Sequence, residues 1–178
     1  KNPSIFYIAA ASGGVWKTTN NGVTFDHVFR NESTHSIGHI AVHQVETDVV
    51  WVGTGESFNR QSSSWGDGVY KSTDGGETWK NMGLQDSHHI GRIVMHPENP
   101  DIVYVAAMGH LWGANEERGL YKSENGGETW QRILWIDQNT GVVDVALDPS
   151  DPNTVYAASY QRQRKAFGYH GGGPGSGL

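Results

Sequence analysis

Side chains suited to binding or chemistry are concentrated in three loops of this 178-residue sequence. The loops span 57–67, 109–117 and 161–170, and each combines aromatic rings with amide, imidazole or guanidinium groups. This mixture suits a polar ligand such as a glycan or a peptide, because rings supply apolar contact and polar groups fix orientation. Residues in or near these loops that are predicted to contact a ligand are Asn59, Arg60, Trp65, His89, Arg92, His110, Trp112 and Arg162.

Trp65 and Trp112 are the strongest of these candidates, because large aromatic rings act as anchors in binding surfaces. Two shorter segments, 31–35 and 86–89, contribute further polar residues. The alternative is that the loops only pack against one another or against a further domain. Loops held on a rigid scaffold often carry function, which favours the binding hypothesis.

Hydrolysis of a glycosidic bond requires a pair of carboxyl groups that flank the bond. The acids beside the loops are Glu56, Asp67, Glu116 and Glu117. Asp67 lies between two glycines, which favours a turn, and Glu116–Glu117 precede Arg118, which favours a solvated ion pair. Glu56 follows Gly53-Thr-Gly55 at the end of a strand-like run, so it is the remaining catalytic candidate.

Histidine is the main potential metal ligand, because the sequence has nine histidines and no cysteine. His88 and His89 are adjacent, and neighbours on a strand point to opposite faces, so they are not expected to chelate one ion. His39, His89 and His110 come from different repeats and lack a carboxylate at ligand spacing. The sequence therefore predicts no metal site and no cofactor.

The composition also narrows the classes of partner. A formal net charge of −6 gives no support to a nucleic-acid-binding face. No run approaches the roughly 18 apolar residues that a membrane-spanning helix needs. The 24 glycines and 7 tryptophans indicate short strands joined by tight turns. Neither nucleic acid nor a membrane span is therefore expected.

The elements that must position the loops are marked by an eight-residue motif at 18–25, 72–79 and 123–130. Its pattern is Ser/Thr-x-Asp/Asn-x-Gly-x-Thr-Trp/Phe. The third side chain can accept hydrogen bonds from turn amides, the glycine can adopt positive φ, and the last ring can pack over the turn. Because an acid alternates with an amide, the motif is structural rather than catalytic. Its predicted structural residues are Asn20, Gly22, Asp74, Gly76, Trp79, Asn125, Gly127 and Trp130.

Two further apolar patterns keep the same period of about fifty residues. Each repeat then holds four short strands, A to D, and the motif joins strand C to strand D. Such repeats predict an all-β fold, a β-propeller fragment of about three four-stranded blades. The chain 1–178 is expected to be a partial propeller, with blade segments 1–30, 37–82, 90–135 and 142–178.

Successive connections in a meander alternate between the two ends of its strands. The C–D and A–B turns therefore share one side of the propeller, which we call the box face. The B–C and D–A connections share the opposite side, the loop face. All five polar segments fall on the loop face: 31–35, 57–67, 86–89, 109–117 and 161–170.

The three motifs resemble the Asp-box, or BNR repeat, of sialidases, xyloglucanases and sortilin-type propellers. The flanking stretches 11–17 and 68–76 are most similar to large bacterial secreted proteins with sortilin-like propellers, which are often described as glycosyl-hydrolase-like. The resemblance covers essentially the whole chain. It implies an extracellular, periplasmic or cell-surface location in a bacterium, and it implies that the remaining blades of a parent propeller are partners of this segment.

The resemblance leaves two functions open. Xyloglucanases of this type carry an acid in a Thr-Asp-Ile-Gly-Gly sequence, and the matching stretch 10–14 has Ala11 in its place. Sialidases of this fold use an arginine triad, and nothing marks Arg60, Arg92 and Arg118 as that triad. A non-catalytic ligand-binding propeller, as in sortilin, is therefore favoured. A glycoside hydrolase of the xyloglucanase or sialidase kind is the alternative.

Overall fold

The computed structural model describes residues 2–178, which form fourteen β-strands and one short 3₁₀ turn. Blade 1 consists of β1 Phe6–Ala10, β2 Gly14–Thr18 and β3 Asp26–His27. Blade 2 consists of β4 Ile37–Val42, β5 Val50–Thr54, β6 Val69–Ser72 and β7 Lys80–Asn81. Blade 3 consists of β8 Ile90–Met95, β9 Val103–Ala107, β10 Gly119–Ser123 and β11 Gln131–Leu134. Blade 4 consists of β12 Thr140–Leu147, β13 Val155–Lys165 and β14 Gly168–Gly171. Strands pair in chain order within every blade.

The architecture is all-β, which confirms the fold class predicted from the repeats. The helical element among residues 2–178 is the 3₁₀ turn Gln85–Ser87, which leads into blade 3. No helix in the described part of the chain is long and apolar enough to cross a membrane. The A, B, C and D strands of blades 2 and 3 follow the predicted meander, and all their pairings are antiparallel.

The hydrophobic core lies between neighbouring blades. Trp51 and Val52 are consecutive residues of β5, and both are fully buried. Because successive side chains of a strand point to opposite faces, Trp51 packs toward blade 3 and Val52 toward blade 1. Strands β5 and β9 are buried on both faces, which explains why they are continuously apolar in sequence.

Glycines in the A strands let adjacent blades approach closely. A Cβ atom on Gly38 would lie 2.2 Å from the carbonyl oxygen of Ile90 in blade 3. One on Gly91 would lie 2.3 Å from the carbonyl oxygen of Val143 in blade 4. Any side chain at these positions would push the blades apart. The register of the A–B pair also shifts here in blades 2, 3 and 4, as in a β-bulge.

All three boxes form the predicted C–D turns. In the second box, the amide of Thr78 donates to Asp74 Oδ1 over 3.0 Å, and the amide of Gly76 donates to Ser72 Oγ over 2.8 Å. The other two boxes repeat both bonds. The box glycines have positive φ, as predicted, at Gly22, Gly76 and Gly127.

The box tryptophans connect each blade to the blade before it. Trp79 Nε1 donates to the carbonyl oxygen of Val28, which follows β3, over 2.9 Å. Trp130 Nε1 donates to the carbonyl oxygen of Met82, which follows β7, over 2.7 Å. Both rings are half-buried against the core of the blade boundary. The ring therefore joins two blades as well as packing near its own turn.

The predicted loop 161–170 is mostly a hairpin, so this expectation was wrong. Strand β13 continues to Lys165 and pairs with β14 across a two-residue turn, with Lys165 opposite Gly168. The hydroxyl groups of Tyr160 and Tyr169 lie 2.9 Å apart across the hairpin. The run is rich in arginine and glutamine, so it lacks the apolar alternation by which strands are recognised in sequence.

Candidate functional site

The two faces of the blades carry different connections, as predicted. On the box face, the amides of Gly75 and Gly126 each donate over 2.9 Å to a carbonyl oxygen in the A–B turn of the same blade, at Asp48 and Asp101. On the loop face, some bonds run between the segments of different blades. The amide of Gly66 in the B–C loop of blade 2, for example, donates over 2.7 Å to His88 before blade 3.

Three aromatic rings stack on the loop face. Trp65, in the B–C loop of blade 2, lies over His88, with ring centroids 5.8 Å apart and planes 22° apart. His88 lies over His110, in the B–C loop of blade 3, at 3.6 Å and 17°. We call Trp65, His88 and His110 the ring stack. Trp65 is 65% exposed, so the stack has an open side.

Asp86 lies beside the ring stack, in the 3₁₀ turn that precedes blade 3. Its Oδ1 atom is 3.1 Å from Nε2 of His110. Asn115 holds both segments, because its Nδ2 donates to the carbonyl oxygen of Asp86 over 2.7 Å and its Oδ1 accepts from the amide of His110 over 3.0 Å. One buried amide therefore fixes the separation of the carboxylate and the imidazole.

His88 has a strained backbone, with φ 59° and ψ −35°. The amide of His89 donates to the carbonyl oxygen of Ser87 over 2.7 Å, which makes a γ-turn with positive φ at His88. Such turns are rare for residues other than glycine, and backbone strain is concentrated at functional sites. The γ-turn directs His88 into the ring stack while His89 is buried, with Nδ1 2.8 Å from the carbonyl oxygen of Glu56.

Arg118 is a fully buried cation that organises the B–C loop of blade 3. Its guanidinium donates to the carbonyl oxygens of Met108, His110 and Gly113 over 2.9, 2.7 and 2.8 Å. The ion pair expected with Glu116 or Glu117 is not found among the described residues, because the guanidinium points inward to the backbone. Burial lowers the pKa of Arg118 to about 10.

Glu56, the catalytic candidate, is 2% exposed. Its Oε1 accepts from the hydroxyl of Ser12 in blade 1 over 2.9 Å, and its Oε2 accepts from the guanidinium of Arg60. Burial opposes ionisation, but the bonds from Arg60 and Ser12 outweigh it and hold the pKa of Glu56 below its usual range. Since Ser12 follows Ala11, a carboxylate from blade 2 lies next to the position where the resemblance predicts an acid. This carboxylate is charged and covered.

The blade 4 hairpin crosses the loop face toward blade 2. Arg162, which is 1% exposed, donates to Asn59 Oδ1 over 2.5 Å and to the carbonyl oxygen of Ser57 over 3.3 Å. The side-chain amide of Asn59 also donates to the hydroxyl of Tyr169. Asn59 and Arg162 are therefore engaged in joining the hairpin to the B–C loop of blade 2.

The remaining predicted ligand-binding residues lie in different environments. Trp112 is 49% exposed, in the same B–C loop as His110. Arg60 is exposed but donates to Glu56, and His89 is buried, where desolvation and Arg162 lower its pKa to about 3. Arg92 lies on the inner strand β8, 3.7 Å from a carboxylate oxygen of Asp144 in blade 4. Of the predicted ligand-binding residues, Trp65 and His110 are therefore brought together, because both stack on His88. Arg92 lies on strand β8 rather than on a loop.

Two glutamates on the loop face have a raised pKa. Burial and then Asp67 raise the pKa of Glu32. Burial raises the pKa of Glu117, against the backbone hydrogen bonds from Asp86 and Ser87, which lower it. A raised pKa is what a general acid requires. Sequence reasoning passed over Glu32 because its partial burial depends on how the D–A connection folds against the blades.

The fold and the boxes agree with a protein-family model. The Sortilin-Vps10 model, described as sortilin, neurotensin receptor 3, matches residues 67–169, which is more than half of the chain. The chain belongs to the Sortilin-Vps10 family. The match includes the second and third boxes and most of blades 3 and 4. This family membership agrees with the resemblance carried by the Asp-boxes.

Similar proteins include glycoside hydrolases. A probable oligoxyloglucan-reducing end-specific xyloglucanase of Neosartorya fischeri is 29% identical in a 167-residue alignment that covers 89% of this chain and 18% of the relative. An ancestral GH74 enzyme superposes with a TM-score of 0.67 at 23% identity, over 90% of this chain and 22% of that one. The GH74 enzyme of Niastella koreensis gives 0.66 at 23%, over 89% and 26%. The two structures support the fold, and this Sortilin-Vps10 chain spans about a fifth of the xyloglucanase.

Proposed function

We propose that the loop face binds a polar ligand, a glycan in preference to a peptide, and that this segment is a non-catalytic binding module of a larger propeller. The observation that carries the proposal is the pair of exposed rings, Trp65 and Trp112, on two neighbouring B–C loops. Exposed rings of this size present flat apolar faces against which sugar rings pack. The relatives named as xyloglucanases favour a glycan over a peptide.

The rings stand on loops that are held in place. Arg118 and Asn115 fix the loop that carries Trp112, and the amide of Glu56 donates over 3.0 Å to the carbonyl oxygen of Ser64, next to Trp65. Binding to a preorganised surface loses less conformational entropy than binding to mobile loops. These bonds therefore support a ready-made binding surface.

Two of the acids first considered for catalysis have structural partners. Glu56 is buried and ionised, as described above. Asp67 Oδ2 accepts from the hydroxyl of Tyr70 over 2.7 Å and from the hydroxyl of Ser33. Both carboxylates are engaged in joining segments of the loop face, which supports binding rather than hydrolysis.

Binding is tested by calorimetric titration of the full-length protein with xyloglucan oligosaccharides, other β-glucan oligosaccharides and unrelated peptides. Trp65→Ala and Trp112→Ala are each expected to weaken glycan affinity about tenfold, or 1.4 kcal/mol. Trp16→Ala is the matched control, since Trp16 is a partly exposed ring on strand β2 rather than on a loop. Unchanged affinity in the double variant, with the fold intact, would contradict the proposal.

The second candidate is that the segment forms part of a glycoside hydrolase. Similarity to xyloglucanases and the raised pKa of Glu32 and Glu117 favour it. The test is to assay the full-length protein and its Glu32→Gln and Glu117→Gln variants on a panel of glycosides. A loss of kcat of about a hundredfold or more in a folded variant would favour hydrolysis. Equal activity in both variants would leave binding as the better account.

We also propose that further blades pack against this segment and that the parent protein acts outside the cytoplasm of a bacterium, as a secreted, periplasmic or surface protein. Phe6 and Ile8 in strand β1 are exposed apolar side chains, and propeller blades ordinarily cover such faces with a neighbour. Fractionation of the source cells, with detection of the full-length protein, tests its location. Recovery in the cytoplasm alone would contradict it.

A further inference from the structure

We propose that Asp86, His88 and His110 form a Zn²⁺-binding site on the loop face. One potential ligand atom from each of the three residues lies within 4.8 Å of the others. The sequence predicted no metal site because it weighed His88 together with His89, and His110 together with His39. The fold instead brings His110 from the next B–C loop onto His88, beside an aspartate.

The donor set fits Zn²⁺. Two imidazoles and one carboxylate are the protein ligands of many zinc sites that keep a fourth position open. Nε2 of His110 and Oδ1 of Asp86 are 3.1 Å apart. Two ligands about 2.0–2.1 Å from one ion, at an angle near 100°, have about this separation. A site without thiolate favours borderline ions such as Zn²⁺ over softer ones.

Buried groups orient two of the three ligands. Asn115 bonds to the backbone of both Asp86 and His110, and its Nδ2 also lies 3.4 Å from Asp86 Oδ2. Oδ1 of Asp86 is thereby turned toward the imidazole. The buried guanidinium of Arg118 donates a hydrogen bond to the carbonyl oxygen of His110. These bonds fix the backbones that carry Asp86 and His110, so the two ligand side chains are held at a set separation.

Zn²⁺ binding requires a movement of one ring. The imidazoles of His88 and His110 are stacked 3.6 Å apart with planes 17° apart, so no point close to both rings lies in both ring planes. A metal ion lies near the plane of each imidazole that binds it. The ring of His88 must therefore turn out of the stack, which also separates it from Trp65. A change at Trp65 is accordingly a signature of binding at this site.

The test measures Zn²⁺ stoichiometry of the full-length protein by equilibrium dialysis. The unmodified protein is expected to bind one more ion per chain than His110→Ala or His88→Ala. Asp86→Asn keeps the size of the side chain but removes a charged ligand, so it is expected to weaken affinity by at least the roughly 10- to 100-fold that loss of an outer partner of a ligand costs. His170→Ala is the control, since His170 is exposed in the blade 4 hairpin and outside the cluster. Equal stoichiometry in the unmodified protein and His110→Ala would overturn the proposal.

Two further measurements locate the ion. Anomalous scattering at the zinc edge is expected to place the ion about 2.0–2.1 Å from a nitrogen of each imidazole. Zn²⁺ is also expected to change tryptophan emission, and Trp65→Phe should remove this change without altering the stoichiometry. A zinc peak away from Asp86 would overturn the site, even if the protein binds zinc elsewhere.

Discussion

The box face and the loop face belong to the same blades but close their connections differently. Bonds between blades occur on both faces, such as Lys71 Nζ to the carbonyl oxygen of Gly126 on the box face, but only the boxes repeat a local closure. Each box closes on itself through bonds between residues four apart, such as Ser72 with Gly76. The loop face is held by bonds between distant residues, such as Arg162 with Asn59 and Asn115 with Asp86. Local bonds can be repeated with each copy of a motif, whereas a bond between blades depends on one particular pair.

This difference separates scaffold from function. The third box position is Asn20, Asp74 or Asn125 in successive copies, and the turn is the same, so only its acceptor oxygen is needed. The loop-face connections differ in length and composition from blade to blade. A repeated framework therefore supports one unrepeated surface, and that surface is where ligand contacts are expected.

The strongest test of this comparison is Trp130→Ala. It removes a half-buried ring that packs edge-on against Trp51 and its bond to Met82 in the preceding blade. We expect the free energy of unfolding to fall by about 3 kcal/mol. Trp112→Ala, at an exposed ring on the loop face, is expected to change it by less than about 0.5 kcal/mol. Chemical denaturation of the full-length protein measures both, and equal losses would break the distinction between the faces.

A second test concerns the interior of the loop face. Arg118→Met leaves the carbonyl oxygens of Met108, His110 and Gly113 without their donor, and we expect a loss of about 2 kcal/mol. Hydrogen exchange should speed up in 108–117. Arg132→Met is the control, because exposed Arg132 donates to a single carbonyl oxygen in the same loop. Similar exchange in both variants would show that Arg118 does not organise the loop.

Glu56→Gln distinguishes a structural carboxylate from a catalytic one. The amide keeps an acceptor for Ser12 but removes the charge that pairs with Arg60, so we expect about 1–2 kcal/mol less stability. Any glycoside hydrolysis by the full-length protein should continue in this variant. Lost activity with unchanged stability would assign Glu56 to catalysis instead and would overturn the binding-module proposal.

The smallest effect is expected within the boxes themselves. Bonds from the hydroxyl and amide of Thr78 lower the pKa of Asp74 from 3.8 to about 2. A lowered folded-state pKa contributes stability above pH 3.8, and this contribution is lost as the pH falls toward 2. Asp74→Asn should remove this loss of stability at low pH. We expect the change in the free energy of unfolding to be less than about 1 kcal/mol, since Asn20 and Asn125 already serve in the other boxes. The effect is measured by the thermal unfolding midpoints of both proteins between pH 2 and 5. If the midpoint of the variant falls with pH as steeply as that of the unmodified protein, the prediction is wrong.

The fold was predictable because its signals are local and repeated. Gly76 and Asp74 belong to a turn that closes within eight residues, and the apolar B strand around Val105 is bounded on both sides by turn residues. The contacts of Trp130 with the preceding blade were not predictable, since its motif specifies the turn and not the partner across the blade boundary. The long strand β13 was missed because its residues are polar.

The candidate site was predictable only as a region. The sequence identified the loops that carry Trp65, Trp112 and His110, because aromatic and polar residues are concentrated in them. It could not show that His110 stacks on His88, since that contact joins the connection before blade 3 to the B–C loop of blade 3 through a γ-turn with positive φ. Nor could it show that Glu56 is buried against blade 1, because its contact with Ser12 joins residues 44 positions apart.

The bonds made by the box tryptophans have a direction along the chain. Trp79 and Trp130 each reach back to a carbonyl oxygen in the blade made before them. During synthesis, chains emerge from the ribosome amino terminus first, and early segments can fold before later ones exist. Each tryptophan therefore reaches an acceptor that has already been translated, so blades can be added one at a time in the order of translation. These bonds are compatible with assembly of the blades in the order of translation.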